Sequence, residues 1–337
     1  MKLLVVGCGS IGRRHAVNAA MLAHTAVVDT RPAAAEDCAR ESGATAFATL
    51  EEAYAWKPDG VVVATPHRSH LALAREALAA GAHVLIEKPL SHTFEGVSDL
   101  LELASRAERR VYVVCNMRFH PGPATLKAQL HRIGKPLFAR AHVGSYLPAM
   151  RPGRDYRELY AARRSEGGGV VLDAVHEIDY LTWLFGAATR VSCRARKLSN
   201  LDLDVEDHAL IGLTHDGGVE SSAELDYLRM RKSRGCEIIG SEGVLHWHSD
   251  GRQPERCTVR YFGAGATEWE SIAEVSAVDT AEPYRALMRA FIREIEAPGT
   301  TPIATAREGA TVLATALGAL ESSASGSEVK FTEACRA

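Results

Sequence analysis

The chain has 337 residues, of which 46% are hydrophobic and 24% are charged, and its formal net charge is −3. This composition is typical of a globular protein, and so small a charge excludes the strongly basic surfaces of nucleic-acid and membrane-surface binders. No apolar run approaches the roughly 20 residues that cross a bilayer. We therefore expect a small-molecule partner, with neither nucleic acid nor membrane, and a chain of this length predicts two domains.

Cysteines are odd in number and scattered, and no two form a C-x-x-C pair. The seven are Cys8, Cys38, Cys115, Cys193, Cys236, Cys257 and Cys335. Such a set is typical of free thiols in a reducing compartment and argues against a disulfide framework or a zinc site. We predict a cytoplasmic protein with no metal site.

A glycine-rich turn follows the first predicted strand, Leu3 to Val6, and leads into a predicted helix. The pattern G-x-G-x-x-G favours a dinucleotide site in this strand–turn–helix context. One glycine allows the tight turn, the next lets the backbone approach a pyrophosphate, and the last lets helix and strand pack closely. The helix start offers free N–H groups and a positive dipole end. The predicted cofactor residues here are Gly7, Gly9, Ser10, Ile11 and Gly12.

A second strand, Ala26 to Val28, ends at Asp29. An acid at this place can accept hydrogen bonds from both hydroxyls of an adenosine ribose, which favours NAD over NADP. Thr30 and Arg31 follow, and an arginine there can hold a 2′-phosphate, so NADP stays possible. Asp29 can alternatively be a turn residue before Pro32.

Strands and helices continue to alternate up to Cys115. After Asp29 we predict a helix over 33–42, strands over 45–47 and 60–64 around a helix at 50–55, a helix from 71 to Gly81, strands over 84–86 and 111–115, and a helix spanning 94–104. Such alternation predicts a parallel, doubly wound sheet. The loops after its strands are expected to open at one edge, where such sheets bind ligands. The loop residues predicted to lie there are Thr65, Pro66, His70, Glu87, Lys88, Asn116 and Arg118. For His70, a solvated helix start and a cofactor contact are equally compatible with the sequence.

The short strand Val84 to Ile86 stops at Glu87-Lys88-Pro89. Proline removes a backbone donor, so the strand cannot continue through it. A lysine at this strand end can stabilise negative charge on a substrate oxygen. The alternative is a solvated lysine paired with Glu87.

After Cys115 the pattern changes, and from Pro136 onward strand-like runs dominate. The candidate strands are 138–146, 190–197, 208–213, 219–227, 236–239, 244–248 and 258–262, followed by helices over 283–295 and 305–321. Hairpin-like turns separate some of them. We predict an α/β N-terminal domain over 1–118, then an α+β domain over 119–337 with an open, mostly antiparallel sheet. Its uncovered face suggests burial against a second copy of the chain.

Three glycines, 167–169, precede a predicted helix that Gly186 ends. Asp173 and His176 are three residues apart on it and are predicted to share a face. A histidine held near a carboxylate can act as a general base near neutral pH. In the alternative reading, the acid only favours the helix dipole and His176 is a satisfied, half-buried residue.

An arginine-rich segment lies between Tyr146 and Glu166. Its arginines and remaining tyrosines are Arg151, Arg154, Arg157, Arg163, Arg164, Tyr156 and Tyr160. Guanidinium groups suit phosphate and carboxylate, so Arg118, Tyr146, Arg154 and Arg163 are candidate contacts for an acidic, phosphorylated or nucleotide-linked sugar. The alternative is a solvated basic loop or a subunit contact.

These signatures together resemble the glucose–fructose oxidoreductase / inositol dehydrogenase / MocA family: Gly7 to Gly12 with Asp29, then Glu87-Lys88-Pro89, then the glycine run with Asp173 and His176. The resemblance covers essentially the whole chain. It implies a Rossmann domain before an open-faced sheet domain, a homodimer or homotetramer built on that sheet, and NAD(P)-dependent oxidoreduction of sugars or polyols. It also implies that Lys88 belongs to a Lys/Asp/His catalytic group and that the Lys88–Pro89 bond can be cis.

One departure from the family concerns the helix with the acid and the base. Many dehydrogenases of the family have Asp-x-x-x-His, whereas Asp173 and His176 are only three apart. The partner of His176 is therefore either Asp173 or Asp179.

The predicted reaction is hydride transfer between nicotinamide and a secondary alcohol of a sugar, polyol, sugar acid or nucleotide sugar. Two alternatives remain open at this point. Some relatives use the cofactor transiently, for hydrolysis or substrate-to-substrate transfer, and the same fold can serve a non-catalytic cofactor-binding regulator.

Overall fold

The computed structural model describes residues 1–252 and 254–332. The described residues fold into two units, one made of 1–116 with 281–310, the other of 117–252, 254–280 and 311–332. None of the helices within these described residues is long and apolar enough to cross a membrane.

The first part of the chain alternates strands and helices as predicted. Its elements are β1 (Lys2–Val6), α1 (Ser10–Ala20), β2 (His24–Val28), α2 (Pro32–Ser42), β3 (Thr45–Ala46), α3 (Leu50–Ala55), β4 (Gly60–Val63), α4 (His70–Ala79), β5 (His83–Ile86), α5 (Val97–Arg106) and β6 (Val111–Val113).

The second part is richer in strands. Its elements are α6 (Pro121–Gln129), β7 (Pro136–Gly144), α7 (Val170–Asp173), α8 (His176–Phe185), β8 (Ala188–Arg196), β9 (His208–His215), β10 (Glu220–Asp226), β11 (Ser233–Gly240), β12 (Gly243–Ser249), β13 (Glu255–Gly263), β14 (Glu270–Val278), α9 (Glu282–Glu296), β15 (Ala304–Thr305), α10 (Ala306–Ser325) and β16 (Val329–Lys330).

The first unit is built on a sheet with the strand order β15-β6-β5-β4-β1-β2-β3, in which only β15 runs antiparallel to its neighbour. Its central strands read as continuous apolar runs because they are buried on both faces. Leu4, Val62 and Leu85 are each fully buried. The carboxyl ends of the parallel strands β1, β2, β4 and β5 therefore reach the same edge of the sheet. The residues that follow these strands are the predicted cofactor residues.

The second unit is built on a sheet with the order β14-β13-β12-β11-β7-β10-β9-β8-β16, antiparallel except between β7 and β10. Helices α6 and α8 pack on one face of it. On the other face, Phe138 and Leu210 remain 38% and 48% exposed. The predicted open, mostly antiparallel sheet is confirmed.

Residues 281–310 belong to the first unit, although the sequence placed them in the second domain. There α9 packs against α1 and β15 pairs with β6, with Ala304 opposite Val113. A two-residue strand that pairs with a distant strand has no local sequence signal. The predicted domain boundary at residue 118 therefore marks the point where the chain first leaves the first unit, and the return of residues 281–310 to that unit was not predicted.

The predicted single helix from 170 to 185 is two helices. Ala174 leaves the helical conformation, with φ −92° and ψ 28°, so α7 ends at Asp173 and α8 begins at His176. Asp173 and His176 therefore flank a break, and the expectation that they share one face of a continuous helix is wrong.

Candidate functional site

The glycine turn joins β1 to α1 with the close packing that its sequence predicts. Gly7 has φ +98°, and a Cβ there would lie 2.6 Å from the carbonyl oxygen of Ala64. A Cβ on Gly12 would lie 1.8 Å from the carbonyl oxygen of Gly7. Gly9 faces open space, with nothing within 4 Å of an added Cβ, and as the N-cap of α1 it makes no side-chain cap. The turn thus leaves room for a diphosphate at the positive end of a helix.

Asp29 fastens this turn to the end of β2. One carboxylate oxygen accepts the backbone N–H of Cys8 at 2.7 Å, and the other accepts that of Arg31 at 2.9 Å. The Arg31 side chain is 73% exposed, with its Nε 3.5 Å from the same carboxylate. Asp29 is therefore both an anchor of the glycine turn and an acid at the place where an adenosine ribose binds in such folds. Asp29 and the open space beside Gly9 together fit NAD as the cofactor.

The loop after β4 is ordered by its own side chains. The Ser69 hydroxyl donates to Thr65 Oγ1 at 2.8 Å. His70 is fully buried, with Nδ1 3.0 Å from the Pro89 carbonyl oxygen and Nε2 2.9 Å from that of Thr65. Burial lowers the pKa of His70 although the carbonyls oppose it. The solvated reading of His70 is therefore wrong, because the buried ring joins the loops after β4 and β5, and its contact with a cofactor stays a prediction.

Glu87 and Lys88 follow β5, and the Lys88–Pro89 bond is cis, as the resemblance implied. Glu87 is buried, and its Oε1 lies 2.7 Å from Nε2 of His15 on α1. Its Oε2 accepts the backbone N–H of Lys88 at 3.1 Å. Both carboxylate oxygens thus have partners within the protein, and the contact of Glu87 with the cofactor stays a prediction.

Asp173 is held by two tyrosines. Its Oδ1 accepts the hydroxyl of Tyr160, and its Oδ2 accepts that of Tyr227 at 3.2 Å. Burial, followed by the charge of Asp173, raises the pKa of Tyr227 well above its ordinary value. The phenol of Tyr227 therefore stays a donor, and Asp173 is fixed as an acceptor close in sequence to His176, which is itself only 9% exposed.

The other acids of α8 have partners of their own. Asp179 forms a buried ion pair with Arg118, with the shortest contact at 2.8 Å from Nη2. Glu177 binds Nε of Arg234 at 2.6 Å and its Nη2 at 3.0 Å. Arg118 is 3% exposed, and its contact with substrate stays a prediction. The same ion pair joins Asp179 to Arg118, and the choice between Asp173 and Asp179 as the partner of His176 stays a prediction.

The arginine-rich segment consists of short 3-10 turns at 147–149, 156–158, 160–162 and 164–166. Arg154 and Arg163 are exposed and Tyr146 is partly exposed. Arg163 Nε donates to the Arg157 carbonyl oxygen at 2.9 Å. The segment packs on the glycine run, where a Cβ on Gly168 would lie 2.3 Å from the Tyr160 carbonyl oxygen. The glycines thus let this segment bring Tyr160 to Asp173.

Sequence reasoning missed His15 as a contact of Glu87 and Tyr227 as a contact of Asp173. His15 is the third residue after Gly12, and Tyr227 ends a predicted strand, so both positions were visible. Their partners are 72 and 54 residues away, and nothing in local periodicity joins them.

A dinucleotide fold with a glycine turn and a strand-ending acid, joined to an open sheet, defines an NAD-dependent oxidoreductase. Residues 1–115 match the oxidoreductase family with an NAD-binding Rossmann fold, and residues 126–246 match the GFO/IDH/MocA C-terminal domain. The chain belongs to the GFO/IDH/MocA family of oxidoreductases.

Three similar proteins cover between 72% and 98% of the chain. It is 29% identical over 335 residues to a 1,5-anhydro-D-fructose reductase of Ensifer adhaerens, covering 96% of both chains. It is 30% identical over 258 residues to an inositol 2-dehydrogenase of Cereibacter sphaeroides strain ATCC 17029, covering 72% of both. The solved structure of levoglucosan dehydrogenase in complex with NADH superposes with a TM-score of 0.86 at 20% identity, covering 98% of this chain and 99% of that one. Likeness at that identity shows the fold.

Proposed function

We propose that this oxidoreductase transfers a hydride reversibly between NAD and a secondary alcohol of a sugar or polyol. The supporting observation is that Lys88 follows β5 at the sheet edge where the Gly7–Gly12 turn follows β1. The relatives named as an anhydrofructose reductase and an inositol dehydrogenase act on such compounds. Residues 1–118 serve the cofactor, and the following domain serves the substrate.

The chemistry that we propose divides the work among three side chains. Bound NAD supplies the hydride acceptor. His176 takes the hydroxyl proton of the substrate as general base, which is worth about 10²–10⁴ in rate. Lys88 donates a hydrogen bond to the same oxygen and stabilises its developing negative charge. Asp173, fixed by Tyr160 and Tyr227, holds His176.

The test of this function is a panel of sugars, polyols and sugar acids, followed by absorbance of reduced cofactor with NAD and NADP in parallel. We expect turnover with NAD and at least one panel member. Lys88→Met is expected to lower kcat at least 100-fold with little change in the Kd of NAD, whereas the exposed Lys197→Met serves as a control and keeps the wild-type kcat. Near-normal turnover of Lys88→Met would remove Lys88 from the mechanism.

Cofactor accumulation separates this function from transient use of NAD. A dehydrogenase builds up NADH with one substrate, whereas a transient-redox enzyme forms product without net NADH. A regulator binds NAD and forms neither, but the presence of both Lys88 and His176 favours an enzyme.

For the substrate we propose an anionic sugar, such as a sugar acid or a nucleotide sugar. The exposed Arg154 and Arg163 lie in the segment that carries Tyr160 to Asp173, and guanidinium groups suit carboxylates and phosphates. We expect kcat/KM for a uronic acid to exceed that for the matching neutral sugar and to fall in Arg163→Gln. Equal values for both sugars would contradict this assignment.

The open sheet face is our proposed oligomer interface, giving a homodimer or homotetramer. Phe138 and Leu210 are exposed on it, and Trp269 is 44% exposed and packs beside Phe262 with ring centroids 5.5 Å apart. Apolar exposure of this kind is typical of an interaction site. Light scattering is expected to give a mass of at least two chains, and Phe138→Asp to reduce it.

We also propose a cytoplasmic location, on the ground of the scattered cysteines. Six of them are free and buried in the described part of the chain, and the seventh, Cys335, lies outside it. Cell fractionation tests this assignment.

A further inference from the structure

A continuous set of hydrogen bonds runs from the cofactor helix to the backbone of Lys88. His15 lies on α1, three residues after Gly12, and is fully buried. Its Nε2 is 2.7 Å from Glu87 Oε1, and Glu87 Oε2 accepts the N–H of Lys88 at 3.1 Å. The residue before Lys88 is therefore joined by a hydrogen bond to the helix that follows the glycine turn.

The residue after Lys88 is fastened as well. The carbonyl oxygen of Pro89 lies 3.0 Å from Nδ1 of His70 at the start of α4. The other ring nitrogen of His70 lies 2.9 Å from the Thr65 carbonyl oxygen, in the loop after β4. Two buried imidazoles thus hold the backbone on either side of Lys88, one through a carboxylate and one through a carbonyl.

The imidazole of His15 is itself fixed by packing. The ring of Tyr284 meets it edge-on, with centroids 5.9 Å apart and an interplanar angle of 70°. The guanidinium of Arg14 covers Tyr284 at 4.8 Å from the ring centroid. A buried ring in T-shaped contact with Tyr284 and bonded at its Nε2 has little freedom to turn. The position of α1 therefore fixes the position of Glu87.

We propose that His15 is a positioning residue that, through Glu87, sets the place of Lys88. This inference rests on the proposed function of Lys88 and deepens it. A lysine side chain is long and flexible, so the position of its amine depends on a fixed backbone, and a misplacement of about 1 Å can cost 100-fold in rate. In this proposal α1 holds the backbone of Lys88 through the buried pair, in addition to its predicted role in binding the diphosphate.

The test compares three variants of the full chain. His15→Leu removes the donor to Glu87, His15→Gln restores an amide N–H at a similar reach, and Asn18→Ala removes another buried polar side chain of α1. For His15→Leu we expect kcat to fall about 10- to 100-fold, while the Kd of NAD and the KM of substrate each change by less than about threefold. His15→Gln is expected to recover most of kcat, and Asn18→Ala to keep it.

The primary deuterium isotope effect on kcat, measured with substrate labelled at the oxidised carbon, gives a second readout. It is expected to rise in His15→Leu, because a displaced Lys88 slows the hydride step itself. A purely structural loss lowers the amount of active enzyme and leaves this isotope effect at its wild-type value.

Several outcomes overturn the inference: wild-type kcat in folded His15→Leu, an equal loss in Asn18→Ala, no recovery in His15→Gln, or an unchanged isotope effect. If His15→Leu does not fold, Glu87→Gln takes its place, and wild-type kcat in that variant has the same meaning. Failure of the proposed function gives a different result, because Lys88→Met then turns over normally. If Lys88→Met loses turnover while His15→Leu keeps the wild-type kcat, only the role of His15 is refuted.

Discussion

The hydroxyl of Tyr227 donates a hydrogen bond to Asp173 Oδ2 at 3.2 Å, from the residue that follows β10 to the last residue of α7. Tyr160 donates to the other oxygen, so the carboxylate is held from two directions. This arrangement fixes Asp173 at the helix break, where a continuous helix had been expected.

Removing one of these phenols tests how much the fixed carboxylate contributes. Tyr227→Phe leaves a carboxylate oxygen without one donor, and hydrogen bonds to charged groups contribute about 1.5–3 kcal/mol. We expect the free energy of unfolding to fall by about 1–2 kcal/mol and kcat to fall about tenfold. Urea unfolding and steady-state kinetics measure the two effects.

Tyr54→Phe is the matched control. Within the described residues the Tyr54 hydroxyl is buried without a hydrogen-bond partner. Its removal is expected to leave kcat unchanged and to cost no stability. A kcat loss of the same size in both variants would show that the phenol of Tyr227 has no specific role.

The ion pair between Arg118 and Asp179 is expected to dominate the stability of its surroundings. Its side chains are 2% and 1% exposed, and removing one partner of a buried pair strands the other charge. Arg118→Leu should therefore lower the free energy of unfolding by roughly 3–5 kcal/mol. The double variant Arg118→Leu/Asp179→Leu should recover part of it, because no charge is then left buried.

An exposed pair provides the comparison. Arg190 and Glu328 are 51% and 41% exposed at 3.3 Å, and Arg190→Leu is expected to change stability by less than about 1 kcal/mol. Guanidinium chloride titrations of these variants check the contrast. An Arg118→Leu variant as stable as Arg190→Leu would contradict the expected contribution of the buried ion pair to stability.

Asp29 is expected to set the preference for NAD. The wild-type protein should bind NAD at least tenfold more tightly than NADP, since a 2′-phosphate would face the carboxylate. Asp29→Ser should weaken NAD binding about tenfold, partly because the backbone N–H of Cys8 loses its acceptor. The difference in affinity between NAD and NADP should become smaller. Calorimetric titrations with both cofactors measure this, with Asp37→Ser on α2 as the control.

His142 on β7 predicts a pH dependence of stability. Burial, together with the charges of Arg229, His248 and His246, lowers the pKa of His142 to about 4. Between pH 6.5 and 4 the unfolded chain therefore binds a proton that the folded chain does not, so this group destabilises the fold as the pH falls through that window. His142→Gln should flatten the loss of stability there, whereas the exposed His131→Gln should not. Identical pH profiles of unfolding for all three proteins would exclude the effect.

Much of the first unit was readable in the sequence. The glycine turn from Gly7 to Gly12, Asp29, and the Glu87-Lys88-Pro89 motif lie at strand ends that apolar runs mark clearly. The side-chain partners were not readable, because Glu87 bonds His15 across 72 residues. A pairing of that kind depends on how the strands are ordered in the sheet and not on any local pattern.

The spacing of Asp173 and His176 shows the same limit in the second unit. Their separation suggested a shared helical face, but Ala174 breaks the helix and Asp173 turns to Tyr160 and Tyr227. Asp179, which the sequence kept as an alternative partner of His176, forms an ion pair with Arg118. Three acids within seven residues look alike in a sequence, and only their surroundings separate them.

The sequence by itself determined the class of this protein, since strand-ending motifs and apolar periodicity are local properties that residue order encodes directly. Only the tertiary structure decided which side chains are hydrogen-bonded or ion-paired with each other: Glu87 with His15, Asp179 with Arg118, and Asp173 with its two tyrosines. The physical reason is that a buried charge must find a partner wherever the fold brings one close, at a distance along the chain that periodicity cannot reach.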